Sequence, residues 1–317
     1  MEDILYRAVS YLLMIVIGAV LKKVGFFKEG DFQTLAKVLL NVTLPCAIIY
    51  NFSHIQFDVS LLVLTVGSIA CGVGLILTGM LGARMAGKRE QMPFDAVNLS
   101  GFNIGNFCLP FAQSFLSPQG LLAISLFDTG NALICNGGSK AAGELAQQSL
   151  RGRDRQRAPA AAQLFQSVRT IFHALSHSVP FLTYLIMLVV ALLSLPVPKL
   201  IVSLSSLGSQ ANPFVAMLMI GVGFKLQIRG AGAAHVARIL LLRYAVTISL
   251  ALVSYFLLPF SVEIRQALVL AFLSPIASAC PAYTAELGED YELSSTINSI
   301  SMLISIGLIT AALLVML

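Results

Sequence analysis

The chain has 317 residues, of which 57% are hydrophobic and 11% are charged, and it carries a net charge of +5. A soluble domain averages about 45–50% apolar and about 25% charged residues, because its surface needs polar residues to cover it. The composition therefore predicts a protein embedded in a lipid bilayer. It excludes a cytosolic enzyme, a nucleic-acid-binding protein and a disulfide-stabilised secreted module.

Ten apolar stretches have the length of about 20 residues that a bilayer-spanning helix needs. In chain order these candidate spans are 4–22, 32–52, 61–83, 95–115, 119–141, 175–195, 200–223, 234–259, 264–285 and 293–316. No stretch alternates apolar and polar residues, so a transmembrane barrel is not expected. A charged linker at 144–170 divides the chain into two halves of five spans each, 1–143 and 171–317.

Lysine and arginine residues predict the orientation of these spans. The loops and helix ends on the side reached after odd-numbered spans hold 17 of the 20 basic residues. Since basic residues concentrate on the cytoplasmic side, the linker is predicted to be cytoplasmic and both termini to lie outside a multi-pass inner-membrane protein. The acidic start of the chain, Met1-Glu2-Asp3, does not resemble a signal peptide. The basic excess is thus an orientation signal, and no nucleic-acid partner is expected.

The two halves of the chain show weak internal similarity. Pro213 in span seven follows Pro45 in span two by 168 positions, and Pro281 in span nine follows Pro110 in span four by 171. Because each half has an odd number of spans, related halves must enter the membrane from opposite sides. The sequence therefore predicts an inverted repeat.

Spans four and nine are the least helix-like, since both contain proline and small or polar residues. Interrupted spans at matching positions in two halves are typical of a transporter binding site. We expect second half-helices to begin near Pro110 and Pro281, with their positive N-terminal ends meeting at mid-membrane and binding an anion. The freed carbonyls of the first half-helices could hold a cation or water. The candidate substrate-binding residues are Asn103, Gly105, Asn106, Pro110, Ser274, Ala277, Ser278 and Pro281. Two proline kinks that serve packing alone are the alternative.

Asp128 is the carboxylate nearest the middle of a candidate span. A charge at that depth costs about 2.5–3.5 kcal/mol on insertion scales. Asn131 shares its helix face, and Asn298, with Ser301 and Ser305, forms a comparable polar stripe in span ten. We interpret Asp128, Asn131 and Asn298 as a coupling group that holds a proton or sodium ion or shapes the anion pocket. The alternative is a protonated or paired Asp128 that joins two helices.

Other polar and small residues in the spans have simpler interpretations. Arg243 is expected to extend its charge to the membrane surface, with pairing to a substrate anion as the alternative. The glycines Gly72, Gly74, Gly79, Gly221 and Gly223 suggest helix packing rather than a dinucleotide loop. The five cysteines are interpreted as small buried hydrophobic residues. No residue pattern predicts a metal site or catalytic residues.

At its broken spans the sequence resembles the auxin efflux carrier superfamily, which includes plant PIN-formed carriers and bacterial malate/malonate-type permeases. The resemblance rests on Gly18–Phe26, Leu39–Pro45, Asn103–Pro110, Phe127-Asp128 with Asn131, Thr284–Gly288 and Ser294–Ser299. The most specific element is Asn103, seven residues before Pro110. The short linker favours the bacterial branch. Cys108 and Asn106 depart from the usual glycine and apolar residue, so the identity of the substrate does not transfer.

The resemblance implies an all-helical fold of ten transmembrane helices in two inverted five-helix repeats with crossed fourth and ninth helices. It implies an elevator mechanism in which helices 1, 2, 6 and 7 form a scaffold, commonly dimeric, and helices 3–5 and 8–10 carry the substrate. Asn103 and the backbone around Pro110 and Pro281 would then hold a carboxylate. The homodimer would form through the scaffold.

The sequence thus predicts a secondary transporter of a small organic anion, without a cofactor other than a coupling proton or sodium ion. A carrier similar to the bile-acid/sodium symporters is the alternative transporter, because it shares the architecture. A membrane-embedded enzyme is disfavoured, since the spans offer neither a second mid-membrane acid nor a histidine cluster.

Overall fold

The computed structural model of the chain describes residues 2–28, 30–53, 59–150, 169, 172–173, 175–224 and 232–317. Within these ranges the regular elements are helices and no strand is present. The α-helices in chain order are α1 (Glu2–Lys23), α2 (Asp31–Val38), α3 (Leu44–Phe52), α4 (Leu62–Met85), α5 (Met92–Leu99), α6 (Leu109–Ala112), α7 (Pro118–Leu133), α8 (Ser139–Leu150), α9 (Val179–Leu192), α10 (Lys199–Gly223), α11 (Ala233–Leu257), α12 (Val262–Phe272), α13 (Cys280–Glu286) and α14 (Tyr291–Met316). Three π-helical turns lead directly into α3, α6 and α8, at Leu39–Thr43, Ile104–Cys108 and Ile134–Gly138.

Five helical segments are long and apolar enough to cross a membrane: Leu5–Lys23, Asp31–Phe52, Leu62–Met85, Ala233–Leu257 and Tyr291–Met316. The prediction of an all-helical, membrane-embedded protein is confirmed at this level for the described residues. The other candidate spans also fall on helices, which are shorter, interrupted or more polar. The linker prediction for 144–170 lies mostly outside the described residues, since α8 ends at Leu150 and the next described residue is Arg169.

The helices pack in two groups. In the first group α1 and α3 both pack against α10, and α9 packs against α3. In the second group α4 packs against α5 and α7, α7 against α12, α12 against α11, and α13 against α14. The broken segments between α5 and α6 and between α12 and α13 both belong to the second group.

Close helix contacts confirm the packing interpretation for several glycines. A Cβ on Gly221 would lie 2.1 Å from the Ile15 carbonyl oxygen of α1, and a Cβ on Gly79 would lie 2.5 Å from that of Asp95. Gly74 has no neighbour within 4 Å and does not serve this purpose. All five cysteines are free thiols; Cys108 and Cys280 are buried and the other three are partly buried.

Candidate functional site

Two segments interrupt the helices of the second group. After α5, residues 100–103 leave the helix, and Gly101 takes a left-handed φ of 65° that glycine adopts without a Cβ penalty. The chain becomes helical again at Ile104. After α12, residues 273–279 are non-helical and α13 begins at Cys280.

α13 therefore begins next to Pro281 as expected, and α6 begins at Leu109, next to Pro110. What the sequence did not predict is that helical backbone resumes earlier in the first segment. The first segment resumes six residues before Pro110, in a π-helical turn that the Cys108 N–H closes on the Asn103 carbonyl at 3.0 Å. This wider turn leads directly into α6, so Pro110 stands within a continuous helical stretch from Ile104 to Ala112.

The two broken segments contact each other directly. The backbone N–H of Asn103 donates to the Pro275 carbonyl at 2.9 Å, and the Asn106 amide donates to the Ser278 hydroxyl, also at 2.9 Å. Residues 172 positions apart in the chain thus meet where the helices are interrupted. We call this place the crossing.

Asparagines on two neighbouring helices hold the non-helical backbone in place. The Asn131 side chain accepts from the Phe102 N–H at 2.9 Å and donates to the Phe102 carbonyl at 2.7 Å. Asn298 donates to the carbonyls of Ile276 and Ala277, at 3.1 and 3.0 Å. These bonds satisfy backbone groups that a broken helix would otherwise leave unpaired.

Arg243 lies behind the crossing and is completely buried. Its guanidinium donates to backbone carbonyls of both broken segments, those of Leu99 at 2.6 Å, Gly101 at 2.8 Å, Pro275 at 3.1 Å and Ser274 at 3.4 Å. The expectation that Arg243 extends to the membrane surface is therefore wrong. The carbonyls that were expected to hold an ion or water bind this side chain instead.

Two cavities meet at the crossing. The first, about 530 Å³, is lined by Asn103, Gly105, Asn106, Asp128, Asn131, Ala277 and Ser278, among others. The second, about 470 Å³, is lined by Asn103, Asn106, Ser278, Pro281 and Asn298, among others. Pro110 and Ser274 line neither of these two cavities: Pro110 is buried in its helix, and Ser274 is fully buried, with its hydroxyl bonded to the Ala271 carbonyl. The structure thus brings nine of the eleven predicted site residues to the cavity walls.

The amide of Asn103 is the most distinctive group of the site. Its side chain is only 4% exposed, and its Nδ2 has no hydrogen-bond partner. A buried donor without a partner costs about 1–3 kcal/mol. Since Asn103 lines both cavities, a ligand in either one can accept this hydrogen bond.

Asp128 faces the first cavity from α7 and is partly buried. Its carboxylate accepts from Asn131 Nδ2 at 3.1 Å and from the Tyr184 hydroxyl of α9 at 3.4 Å. Among the described residues, no basic side chain forms an ion pair with it within 4 Å. Asp128 therefore joins two helices by neutral donors only, and its charge is not balanced by an adjacent cation.

Sequence reasoning missed a second buried carboxylate. Asp95 in the first turn of α5 is completely buried and pairs with His235 and Arg238, each at 2.5 Å. A kink in the fifth candidate span was also missed, although the run Asn136-Gly137-Gly138 signals it: Gly137 has a φ of 147°.

No family model matches the sequence, and no curated protein matches it. The resemblance to the auxin efflux carrier superfamily therefore stays a prediction, and the crossing must be interpreted from its own geometry.

Proposed function

We propose that the chain is a secondary transporter that binds a small organic anion, a carboxylate, at the crossing of its two broken helices. The observation that carries this proposal is the buried Asn103 amide, whose free Nδ2 lines both cavities. An amide donor suits a carboxylate oxygen, since hydrogen bonds to charged groups are the stronger ones.

The backbone around Asn103 adds to this preference for negative charge. Gly105 and Asn106, in the first turn of the helical stretch that begins at Ile104, line the first cavity. The positive N-terminal end of a helix favours an anion. The cavity volume of about 530 Å³ lies within the range of about 300–1,000 Å³ that is usual for small-molecule sites. A small carboxylate is thus matched in both charge and size.

Asp128 supports a coupling role in the proposed transport. Its Oδ2 lies 3.3 Å from where a Cβ on Gly105 would stand, so the carboxylate contacts the first turn of the same helical stretch. An ionised Asp128 and a substrate anion would compete for one positive helix end. Protonation of Asp128 removes this competition, and we therefore propose that a proton enters with the anion.

The arrangement of the helices supports an elevator mechanism. α2 packs against α10 of the first group. Both cavities lie between the two packing groups, since Phe32 and Gln33 of α2 line them from one side and Asn103 and Asn106 from the other. We propose that helices 1, 2, 6 and 7 of the ten spans are the scaffold and dimer interface and that helices 3–5 and 8–10 move with the substrate.

Contacts near the ends of the helices agree with the proposed topology. Arg7, at the start of span one, donates to the Ser114 carbonyl at the end of span four, and Arg265, at the start of span nine, donates to the Tyr255 carbonyl near the end of span eight. All four of these span ends would lie on the outer side. Lys140, at the end of span five, pairs with Glu286, at the end of span nine, at 2.5 Å, and both of these span ends would be cytoplasmic. We propose ten spans in two inverted repeats in the cell membrane, with both termini outside, as in the bacterial branch of the auxin efflux carrier superfamily.

A thermal-shift screen of the purified protein against mono- and dicarboxylates tests the function. We expect stabilisation by at least one carboxylate and a roughly 10- to 100-fold weaker affinity in Asn103→Ala, because a hydrogen bond to a charged group contributes about 1.5–3 kcal/mol. Asn51→Ala is the matched control, since Asn51 is also 4% exposed with an unpartnered Nδ2 but lines neither of the two cavities. Equal stabilisation of the wild type and Asn103→Ala would contradict the proposed site.

The pH dependence of carboxylate binding tests the role of Asp128. We expect the affinity of the wild type for the carboxylate to fall, by up to about tenfold per pH unit, as the pH rises and Asp128 loses its proton. Asp128→Asn should lose this part of the pH dependence. The other titratable side chains that line the first cavity are Lys37, Cys135, His177 and Tyr184. His177→Asn is the control, since a protonated histidine would also favour the anion at low pH. A profile unchanged by Asp128→Asn, or a requirement for sodium at constant pH, would exclude proton coupling through Asp128.

A further inference from the structure

Arg243 is a buried cation whose partners are backbone carbonyls. It projects from α11, and its guanidinium is enclosed by the ends of α5 and α12, where those helices stop. The exposed fraction of the residue is 0%. Among the described residues, no carboxylate lies within 4 Å of its nitrogens, and the buried Asp95 is bound by His235 and Arg238.

Four backbone carbonyls compensate this buried charge. The last carbonyls of a helix carry partial negative charge, and one of the four carbonyls, that of Leu99, ends α5. The other three belong to the non-helical residues that follow α5 and α12 and are free of helix hydrogen bonds there. Two of the four carbonyls come from the end of α5 and the segment after it, and the other two come from the segment after α12. The Phe102 ring adds a cation–π contact, with the guanidinium carbon 5.1 Å from its centre. The charge is therefore balanced without an acidic side chain.

A cluster of carbonyls at the ends of interrupted helices is the kind of site that holds a sodium ion in transporters. Arginine stays protonated at any physiological pH, and its five N–H donors can serve several carbonyls at once. An arginine in such a cluster occupies the ligands that a sodium ion would use, and it cannot leave during a transport cycle.

We infer that Arg243 is the permanent cation of the crossing: it takes the place of an exchangeable sodium ion and positions the anion site. This inference rests on the proposed function and deepens it. Arg243 lines neither of the two cavities described above, so it is a positioning residue. It holds the Gly101 carbonyl at 2.8 Å, directly before the residues that carry the Phe102 N–H and the Asn103 amide. The guanidinium carbon also lies 5.1 Å from the centre of the Phe102 ring, and Phe102 lines the first cavity.

Sodium dependence provides the first test, and it needs no carboxylate. Thermal unfolding of Asp128→Asn is measured in sodium chloride and in N-methylglucamine chloride, so that Asp128 cannot hold the ion itself. We expect the same unfolding temperature in both salts. Stabilisation by sodium that persists in Asp128→Asn would overturn the inference, because it would show a sodium site apart from Asp128.

Substitutions of Arg243 provide the second test. We expect Arg243→Met, which keeps the volume but removes the charge, to bind the carboxylate about tenfold more weakly or worse, and Arg243→Lys to retain more of the affinity. We further expect Arg243→Ala, which vacates the carbonyls, to be stabilised by sodium although the wild type is not. Arg265→Met is the matched control, since Arg265 also donates to a backbone carbonyl but lies away from the crossing.

The outcomes separate this inference from the proposed function. Arg243→Met with the affinity of the wild type would overturn the inference and leave carboxylate transport intact. A wild type that binds no carboxylate would overturn the proposed function, while the sodium comparison would still decide whether Arg243 is the permanent cation. If Arg243→Met does not fold, the sodium comparison in Asp128→Asn alone decides it.

Discussion

The two broken segments at the crossing differ in how their helices resume and in what they present to the cavities. The first leaves the helix for four residues, 100–103, and resumes in a π-helical turn. The second stays non-helical for seven residues, 273–279. The first presents two amides, those of Asn103 and Asn106, whereas the second presents the hydroxyl of Ser278 and backbone.

The two asparagines that hold these segments, Asn131 and Asn298, also differ in how tightly they fix the backbone. Asn131 binds both the N–H and the carbonyl of a single residue, Phe102, and thereby fixes that peptide plane directly before Asn103. Asn298 donates to two successive carbonyls, and Ala277 has a second donor in the Cys280 N–H. The comparison suggests that the first segment recognises the ligand, whereas the second segment supports the first and contributes little to recognition.

The largest expected effect that separates the segments is on stability. Asn131→Ala leaves the buried Phe102 N–H without an acceptor and removes a donor from Asp128, which should cost about 2–4 kcal/mol of unfolding free energy. Asn298→Ala leaves mainly the Ile276 carbonyl without a donor and should cost about 1–2 kcal/mol of unfolding free energy. Unfolding of both variants in detergent measures the difference. Equal losses, or a larger loss for Asn298→Ala, would contradict the assigned roles.

The two prolines should also respond differently to replacement. Pro110 stands inside a helical stretch, where proline is about 3 kcal/mol less favourable than alanine. Pro281 lies in the first turn of α13, where a backbone N–H would have no acceptor within the helix, so its absence costs little. We expect Pro110→Ala to raise the free energy of unfolding by about 1–2 kcal/mol, less than the full difference because proline also restricts the unfolded chain. Pro281→Ala should change it little. Chemical denaturation of the two variants measures the contrast, and a loss of stability in Pro110→Ala would show that the π-helical turn requires proline.

Local residue patterns predicted the existence of both breaks. Glycine at 101 and the prolines at 275 and 281 act within their own turn, so their effect is visible without the rest of the molecule. The position of Asn103 was predictable for the same reason, because it precedes Pro110 within one interrupted span. The helix start at Ile104 was not, since the choice between α and π turns depends on surrounding packing.

The partners of the buried charges could not be read from local patterns. The Arg243 side chain meets carbonyls 144 and 142 positions earlier in the chain, at Leu99 and Gly101, and these are free only because the helix breaks there. Asp95 likewise meets Arg238 across 143 positions. In the sequence alone, Arg243 and Asp95 are isolated charges in apolar stretches. This pattern is equally compatible with a surface position and with a functional role.

The smallest expected effect is at the hydrogen bond that joins the two segments within the cavities. Asn106 Nδ2 donates to Ser278 Oγ at 2.9 Å in an exposed position, so the net contribution of the bond should be modest. We expect a double-mutant cycle of Asn106→Ala and Ser278→Ala to give a coupling of about 0.5–1 kcal/mol in the free energy of unfolding. In carboxylate binding, however, Asn106→Ala should weaken the affinity more than Ser278→Ala, because the first segment carries the recognition. If the two single variants bind the carboxylate equally, the segments share recognition, and the asymmetry between them is confined to how their backbones are held.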